Sequence, residues 1–376
     1  MQATSLSYVD TVYSADSIEF CFSRGAAAGG PHLFACGTYQ VNKDETTPSV
    51  DGEQADPTVT RTGRCLLFSV DSDGSNLKEL HRIESPAILD MKWSPRPWNG
   101  HEQVLAISDA KGHVQLHSLN LETNELSMID DIVCADENIL CLSLDWSTRG
   151  PNPCDPATII VSLSNGSLVH LTPSDPENST KLSPTKTWHA HNFEPWIVSF
   201  DCWNPNVIWS GGDDLHLKGW DLTREQDEID MPLFVNKRFE GGVTTITSHP
   251  LVENLIAVGS YDASVRLFDK RNPLKPLTSF DVGGGIWRLK WHPTNPSRLL
   301  IAAMHNGFSV VDFDIELDAQ TGSLQVGAGE LVRRFEGHDS LAYGVDWSQS
   351  RVQTSDGRDL VASCSFYDHA LHVWSV

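Results

Sequence analysis

Leu255-Ile-Ala-Val-Gly-Ser-Tyr-Asp262, then after Ala263 and Ser264 the stretch Val265-Arg-Leu-Phe268-Asp269, reads as an apolar strand, a tight polar turn and a second, alternating strand. Immediately upstream, Ser248-His249-Pro250 stops an earlier strand. The same kind of stop recurs at Trp93-Ser94-Pro95, Trp146-Ser147, Trp203-Asn204-Pro205, Trp291-His292-Pro293 and Trp347-Ser348. These anchors, at 93, 146, 203, 248, 291 and 347, are 53, 57, 45, 43 and 56 residues apart. The chain therefore repeats one unit, and every other residue has to be placed within that repeat.

The spacing is that of a WD-type β-propeller blade with loops of variable length added. Each anchor ends an innermost strand, after which the pattern predicts a second strand, a polar turn, a third strand and usually a fourth. Asp262 lies six residues before Phe268, and the same interval separates Asp214 from Trp220 and Asp368 from Trp374; Lys111, Asn165 and Asn306 hold the equivalent turn position elsewhere. The last blade runs out at Trp374-Ser375-Val376 after three strands. Leu6 to Ser14, ahead of a first inner strand over Ser17 to Phe22, can supply the missing outer strand and remove two open sheet edges. The expectation is an all-β, seven-bladed WD-repeat β-propeller forming one domain over 1–376, its last blade closed by the N-terminal strand. Two polar stretches fall outside the repeat. Residues 43–61 in blade 1 and 173–187 after blade 3 read as mobile loops.

Composition narrows the partners. Of 376 residues, 50 are acidic and 27 basic, a formal charge of −23, so nothing favours a surface that tracks phosphates, and a neutral or basic partner is expected instead of nucleic acid. Eight cysteines without a CxxC pair, mostly in apolar stretches, fit small buried hydrophobes in a reducing compartment. No basic, apolar leader and no run long enough to span a membrane are evident, so a cytoplasmic protein without membrane contact is expected. A closed ring makes a monomer the default.

A turn Asp commonly locks a blade by bonding a preceding His, so Gly337-His338 with Asp368 reads first as structural, and Asp214 and Asp262 fall under the same reading. The residues just before those turn positions carry more information: Ala110, Ser164, Asp213, Tyr261, His305 and Tyr367. With Trp196, Trp287, Ser340 and Tyr343 at the starts of inner strands, they should converge on one rim of the central channel. The chain has no Gly-x-Ser-x-Gly elbow, His-Glu-x-x-His or phosphate loop, and its 15 histidines show no repeated ligand spacing, so neither a metal nor a cofactor is expected. On these residues alone an interaction module is favoured over an enzyme.

Several stretches go beyond a generic repeat: Ala35-Cys-Gly-Thr-Tyr-Gln40, Ser210-Gly-Gly-Asp-Asp214 with Gly219-Trp-Asp221, Gly259-Ser-Tyr-Asp262, Gly284-Gly-Ile-Trp-Arg-Leu-Lys-Trp-His-Pro293, Met304-His-Asn-Gly-Phe308, Asp339-Ser-Leu-Ala-Tyr-Gly-Val-Asp-Trp347 and Ser363-Cys-Ser-Phe-Tyr-Asp-His369. Together they resemble the diphthine methyltransferase family, from about residue 33 to the C-terminus. The resemblance implies a carboxyl methylesterase that removes the methyl ester from over-methylated diphthine on translation elongation factor 2, before the final amidation of diphthamide synthesis.

Such a substrate carries a trimethylammonium next to the ester, and aromatic faces bind such cations. Trp196, Tyr261, Trp287, Tyr343 and Tyr367 could form that cage. His305 is then the candidate base, Ser340 the nucleophile of a covalent route, Asp213 the orienting carboxylate, and Tyr261 or Tyr367 an oxyanion donor. Each has a bland alternative: His305 as a turn residue, Ser340 as a loop cap, the aromatics as channel packing. Two other functions compete. One is a non-catalytic scaffold or ubiquitin-ligase substrate receptor; the other, literal methyl transfer, lacks the βαβ unit that would hold a nucleotide-like donor.

Overall fold

In a computed structural model, residues 2–22, 31–43, 59–151, 156–175, 181–318, 320–349 and 357–376 are described. They form seven antiparallel sheets, each led by one innermost strand. Those strands are Ala15–Phe20, Ile88–Trp93, Cys141–Trp146, Ile197–Asp201, Val243–Ser248, Ile286–Trp291 and Ala342–Trp347, in blades 1 to 7. They and the second strands, such as Val104–Asp109 and Leu360–Ser365, are buried almost throughout, because each blade packs on both neighbours. Outer strands such as Glu125–Val133 mix buried and exposed residues, as expected where one face meets water.

The ring closes as the repeat predicts. Ser5–Asp10 pairs antiparallel with Ala370–Ser375 and becomes the outer strand of blade 7. The first inner strand starts at Ala15, two residues earlier than its apolar pattern suggests.

The anchors hold blade to blade. The indole N–H groups of Trp93, Trp146 and Trp347 donate to the carbonyls of Glu19, Lys92 and Lys290 on the preceding inner strand, at 2.9, 3.0 and 3.0 Å. In the other direction, Asp346, Asp145 and Asp90 accept the N–H groups of Phe20, Phe200 and Leu144 in the following blade, at 2.8, 2.9 and 3.2 Å. Sheet pairing alone would leave these inner edges unconnected, so the anchors are polar fasteners as well as apolar ballast.

Turn locks form as chains. In blade 4, Asp214 bonds His191 Nδ1 at 2.8 Å, His191 Nε2 bonds Ser210 Oγ at 2.7 Å, and Trp220 donates to the same hydroxyl at 2.8 Å. Blade 7 differs from expectation, because Asp368 reaches His338 only through the Ser365 hydroxyl. His338 Nε2 and the Trp374 indole then share Ser363 Oγ at 2.9 and 3.0 Å. Asp262 has no histidine to lock; it binds Arg266 through both carboxylate oxygens at 3.0 and 2.8 Å.

Both loop expectations change. Leu182–His189 is the outer strand of blade 3, paired with Ser167–Pro173, so 182–187 and Pro173 are sheet, while 176–180 lie outside the described residues. Its Ser-Pro-Thr-Lys composition reflects solvent exposure, and Pro184 sits beside a register shift on an edge strand, where a missing N–H is tolerated. In blade 1, Gln40–Lys43 pairs with the start of Val59–Val70, which makes the ends of 43–61 strand. Residues 44–58 lie outside the described residues.

Candidate functional site

The residue after each turn position has a left-handed backbone in six blades: Gly112, Gly166, Leu215, Ala263, Gly307 and His369, with φ of 79, 87, 61, 65, 67 and 55°. These tight turns, together with the links into each following inner strand, form one face of the disc. A cavity of about 460 Å³ opens there at the end of the central channel.

One repeat position builds its wall. Counting back four residues from Phe20, Trp93, Trp146, Phe200, Ser248, Trp291 and Trp347 reaches Asp16, Leu89, Leu142, Trp196, Thr244, Trp287 and Tyr343. Except at Trp196, which immediately precedes its strand, the pairing register shifts across this residue. Such bulges re-aim a side chain out of the pleat, and all of these residues except Thr244 line the cavity. Thr244 turns its hydroxyl to the Ile286 carbonyl.

Trp287 is the hub of an aromatic well. Its ring stacks on Tyr343 at 4.8 Å and 22°, and lies 5.8 Å from Trp196 and 6.2 Å from Tyr261. Phe366, 5.1 Å from Tyr343, and Tyr39 extend the wall. The indole N–H groups of Trp196 and Trp287 are buried and have no acceptor among the described residues.

Two carboxylates line this well, Glu194 on the link into blade 4 and Asp16; Asp16 is 5 % exposed, and among the described residues nothing donates a hydrogen bond to it. Burial pushes its carboxyl up to about 7, with the Arg288 guanidinium opposing and Asp90 adding to the rise. Below it the channel is filled by paired charge. Asp90 takes Lys92 at 2.6 Å and Arg288 at 3.2 Å, and Glu19 takes Lys92 at 2.9 Å and Lys290 at 2.6 Å. Although burial acts to raise Asp90, Lys92, Arg288 and the Leu144 N–H hold it well below the usual carboxylate range. Asp145 pairs with Arg149, and Asp346 lies 3.6 Å from Lys290. The acids Asp16, Glu19, Asp90, Asp145 and Asp346 face the cations Lys92, Arg149, Arg288 and Lys290, which leaves one carboxylate over. Asp16 is the one without a close cation.

The remaining site residues expected from sequence lie elsewhere. His305 and Ser340 line a second, open hollow of about 710 Å³ between blades 6 and 7, with Tyr367 at its edge. Ser340 Oγ accepts the Tyr367 backbone N–H at 3.0 Å, and the exposed His305 side chain makes no hydrogen bond among the described residues. Tyr367, 70 % exposed, meets the far edge of Phe366 at 5.0 Å and does not line the well. Asp213 stands by Tyr261, where its charge adds to burial in pushing that hydroxyl up to about 12. No hydrogen bond among the described residues joins Asp213, His305 and Ser340. Trp196, Tyr261, Trp287 and Tyr343 do come together.

Sequence reading missed Asp16, Tyr39, Arg61, Arg288 and Phe366. Asp16 had a signal in the count of four from the anchor, but blade 1 carries Phe20 with no Trp-Ser/Asn/His-Pro-like stop after it, so its repeat position was not aligned.

No family model matches the chain. It is 38 % identical over 358 residues to "Diphthine methyltransferase" of Homo sapiens, covering 93 % of this chain and 75 % of that protein. The corresponding protein of Mus musculus is 40 % identical, covering 91 % of this chain and 69 % of that one, and "Diphthine methyltransferase homolog" of Dictyostelium discoideum is 32 % identical, covering 98 % and 97 %. A chain of the solved structure titled "Crystal Structure of Mitotic Checkpoint Complex" superposes with a TM-score of 0.64 at 15 % identity, covering 99 % of this chain and 92 % of that chain, which speaks to the propeller fold alone. With sequence likeness this extensive, the chain belongs to the diphthine methyltransferase family.

Proposed function

We propose that this protein acts in diphthamide biosynthesis, hydrolysing the methyl ester of methylated diphthine on translation elongation factor 2 to a carboxylate and methanol. The observation that carries the reading is the aromatic well around Trp287. A trimethylammonium group gains up to about 2 kcal/mol from a desolvated aromatic face, and here the Trp287, Tyr343, Trp196 and Tyr261 rings converge within one cavity beside an unpaired carboxylate. Arg61, also on the wall and hydrogen-bonded to Tyr39, has further N–H donors available to an oxyanion that develops on the ester carbonyl. Seating the cation places the adjacent ester at the same mouth, and the ammonium nitrogen borne by the carbon next to the carbonyl withdraws electrons and makes that carbonyl more electrophilic.

A formal charge of −23 suits encounter with a basic protein surface, and raised salt would slow that encounter. The working form in this reading is a cytoplasmic monomer that needs neither metal nor cofactor. A second route is covalent, with Ser340 as nucleophile, His305 as base and Asp213 orienting it; in its favour, His305 and Ser340 share one hollow. Against it, Ser340 Oγ already accepts the Tyr367 backbone N–H, no hydrogen bond among the described residues joins it to His305, and Asp213 stands by Tyr261 in another blade.

The test is methanol release from elongation factor 2 carrying methylated diphthine, using purified protein with and without chelator. Release that survives chelation is expected. No release from intact, folded protein sinks the esterase reading, and co-purification with ligase adaptor subunits together with tolerance of Trp287→Ala would favour a scaffold.

A further inference from the structure

We propose that Asp16 is the catalytic base of this site, deprotonating a water that attacks the ester carbonyl directly; this rests on the methylesterase reading above. The argument begins with unmatched charge. Among the channel acids, Glu19, Asp90, Asp145 and Asp346 each have a cation within 4 Å or accept hydrogen bonds, or both. Asp16 has neither among the described residues, although it is 5 % exposed. Holding a carboxylate largely withdrawn from water with no donor or close cation costs stability, and a bulge holds this one, open only to the cavity, at the position that in blades 6 and 7 carries Trp287 and Tyr343. It lines the same cavity as the aromatic stack, so a cation seated there brings its neighbouring ester to the carboxylate.

The reaction balances without another reactant. Asp16 takes a proton from water as the water oxygen bonds to the ester carbon. The tetrahedral intermediate collapses with cleavage of the carbonyl carbon–methoxy oxygen bond, and Asp16 returns its proton to the departing methoxy oxygen, giving methanol. The new carboxyl group loses its own proton to solvent. A seated quaternary cation would favour the ionised form of Asp16, so binding primes the base.

Groups facing Asp16 from the surrounding elements bear on its titration. Arg288 comes from blade 6 and Asp90 from blade 2. Tyr39 with Arg61 comes from blade 1, and Tyr343 and Cys364 come from blade 7. Glu194 lies on the link into blade 4. Burial places Asp16 near 7 in the unliganded protein, a value matched to base catalysis at neutral pH.

The experiment is steady-state methanol release by wild type and Asp16→Asn on the same modified elongation factor. If wild type releases none, the methylesterase reading falls, whatever the variant does. If wild type is active, Asp16→Asn should lose at least about 100-fold in kcat, since a general base contributes 10²–10⁴, with a smaller rise in KM because the charge that favours the cation is also lost. Retained kcat, or a change confined to KM, overturns the proposal and makes Asp16 a counter-ion. Should the variant fail to fold, the wild-type profile decides: kcat/KM should rise to a plateau through about pH 7. A flat profile between about pH 5 and 8 would overturn it.

Discussion

Asp214 in the blade 4 turn and Asp16 at the channel mouth are both carboxylates withdrawn from water, yet their surroundings push them in opposite directions. Asp214 has His191 at 2.8 Å, His216 at 3.2 Å and Lys218 at 3.5 Å. These hold its carboxyl well below the usual range although burial acts to raise it. Asp16 has no such neighbours, and burial carries it upward. Burial alone therefore does not distinguish a lock from a reactive group; the completeness of the hydrogen-bond shell does.

The sharpest way to break that contrast is to remove each charge. Asp214→Ala leaves the buried, neutral His191 without its partner at Nδ1, and it should cost about 1–3 kcal/mol in chemical denaturation. Asp16→Asn should do the reverse. A folded pKa raised to about 7 means that Asp16 ionises first in the unfolded chain, so stability is lost as pH climbs from the unfolded value towards 7. At pH 8 the variant should gain up to about 4 kcal/mol, and the gain should vanish near pH 4. Asp214 has the opposite sign: its contribution is present above the unfolded carboxylate pKa and disappears as pH falls through the depressed folded value. Equal melting temperatures for wild type and Asp16→Asn at pH 8 would refute an unpaired charge in the well.

Next in size is the cage. Trp287→Ala should raise KM for the trimethylated substrate about 30-fold, the equivalent of about 2 kcal/mol, and lower kcat less. A smaller effect separates the well from the hollow between blades 6 and 7. His305→Ala and Ser340→Ala should each keep methanol release within about threefold, and loss of activity in either would move the chemistry to that hollow. Smallest is a backbone effect: Leu215 and Ala263 adopt φ of 61 and 65° where other blades use Gly. Leu215→Gly or Ala263→Gly should therefore stabilise by about 1 kcal/mol in denaturant melts, without touching activity.

The propeller was legible because each blade repeats the same constraints. A Trp or its substitute must bury against the preceding blade, and a polar turn must follow the second strand; both recur at intervals that survive long loops. Leu182–His189 was misread because an outer strand wetted on one face has the composition of a loop. The cage was legible in Trp196, Tyr261, Trp287 and Tyr343, whose types have no repeat-wide explanation. His305, Ser340 and Asp213 share a rim by repeat position and were joined into one machinery by chemical type, but nothing in linear spacing reveals that blades 4, 6 and 7 turn them towards different neighbours.

By itself the sequence determined the number of blades, the closing strand and the family, since these follow from periodic apolar burial and from residue identity along the chain. Only the tertiary structure decided which carboxylate is left without a partner. That depends on four cations from blades 2, 3 and 6 meeting four of the five channel acids, and such pairing exists only once the ring has closed and excluded water from its axis.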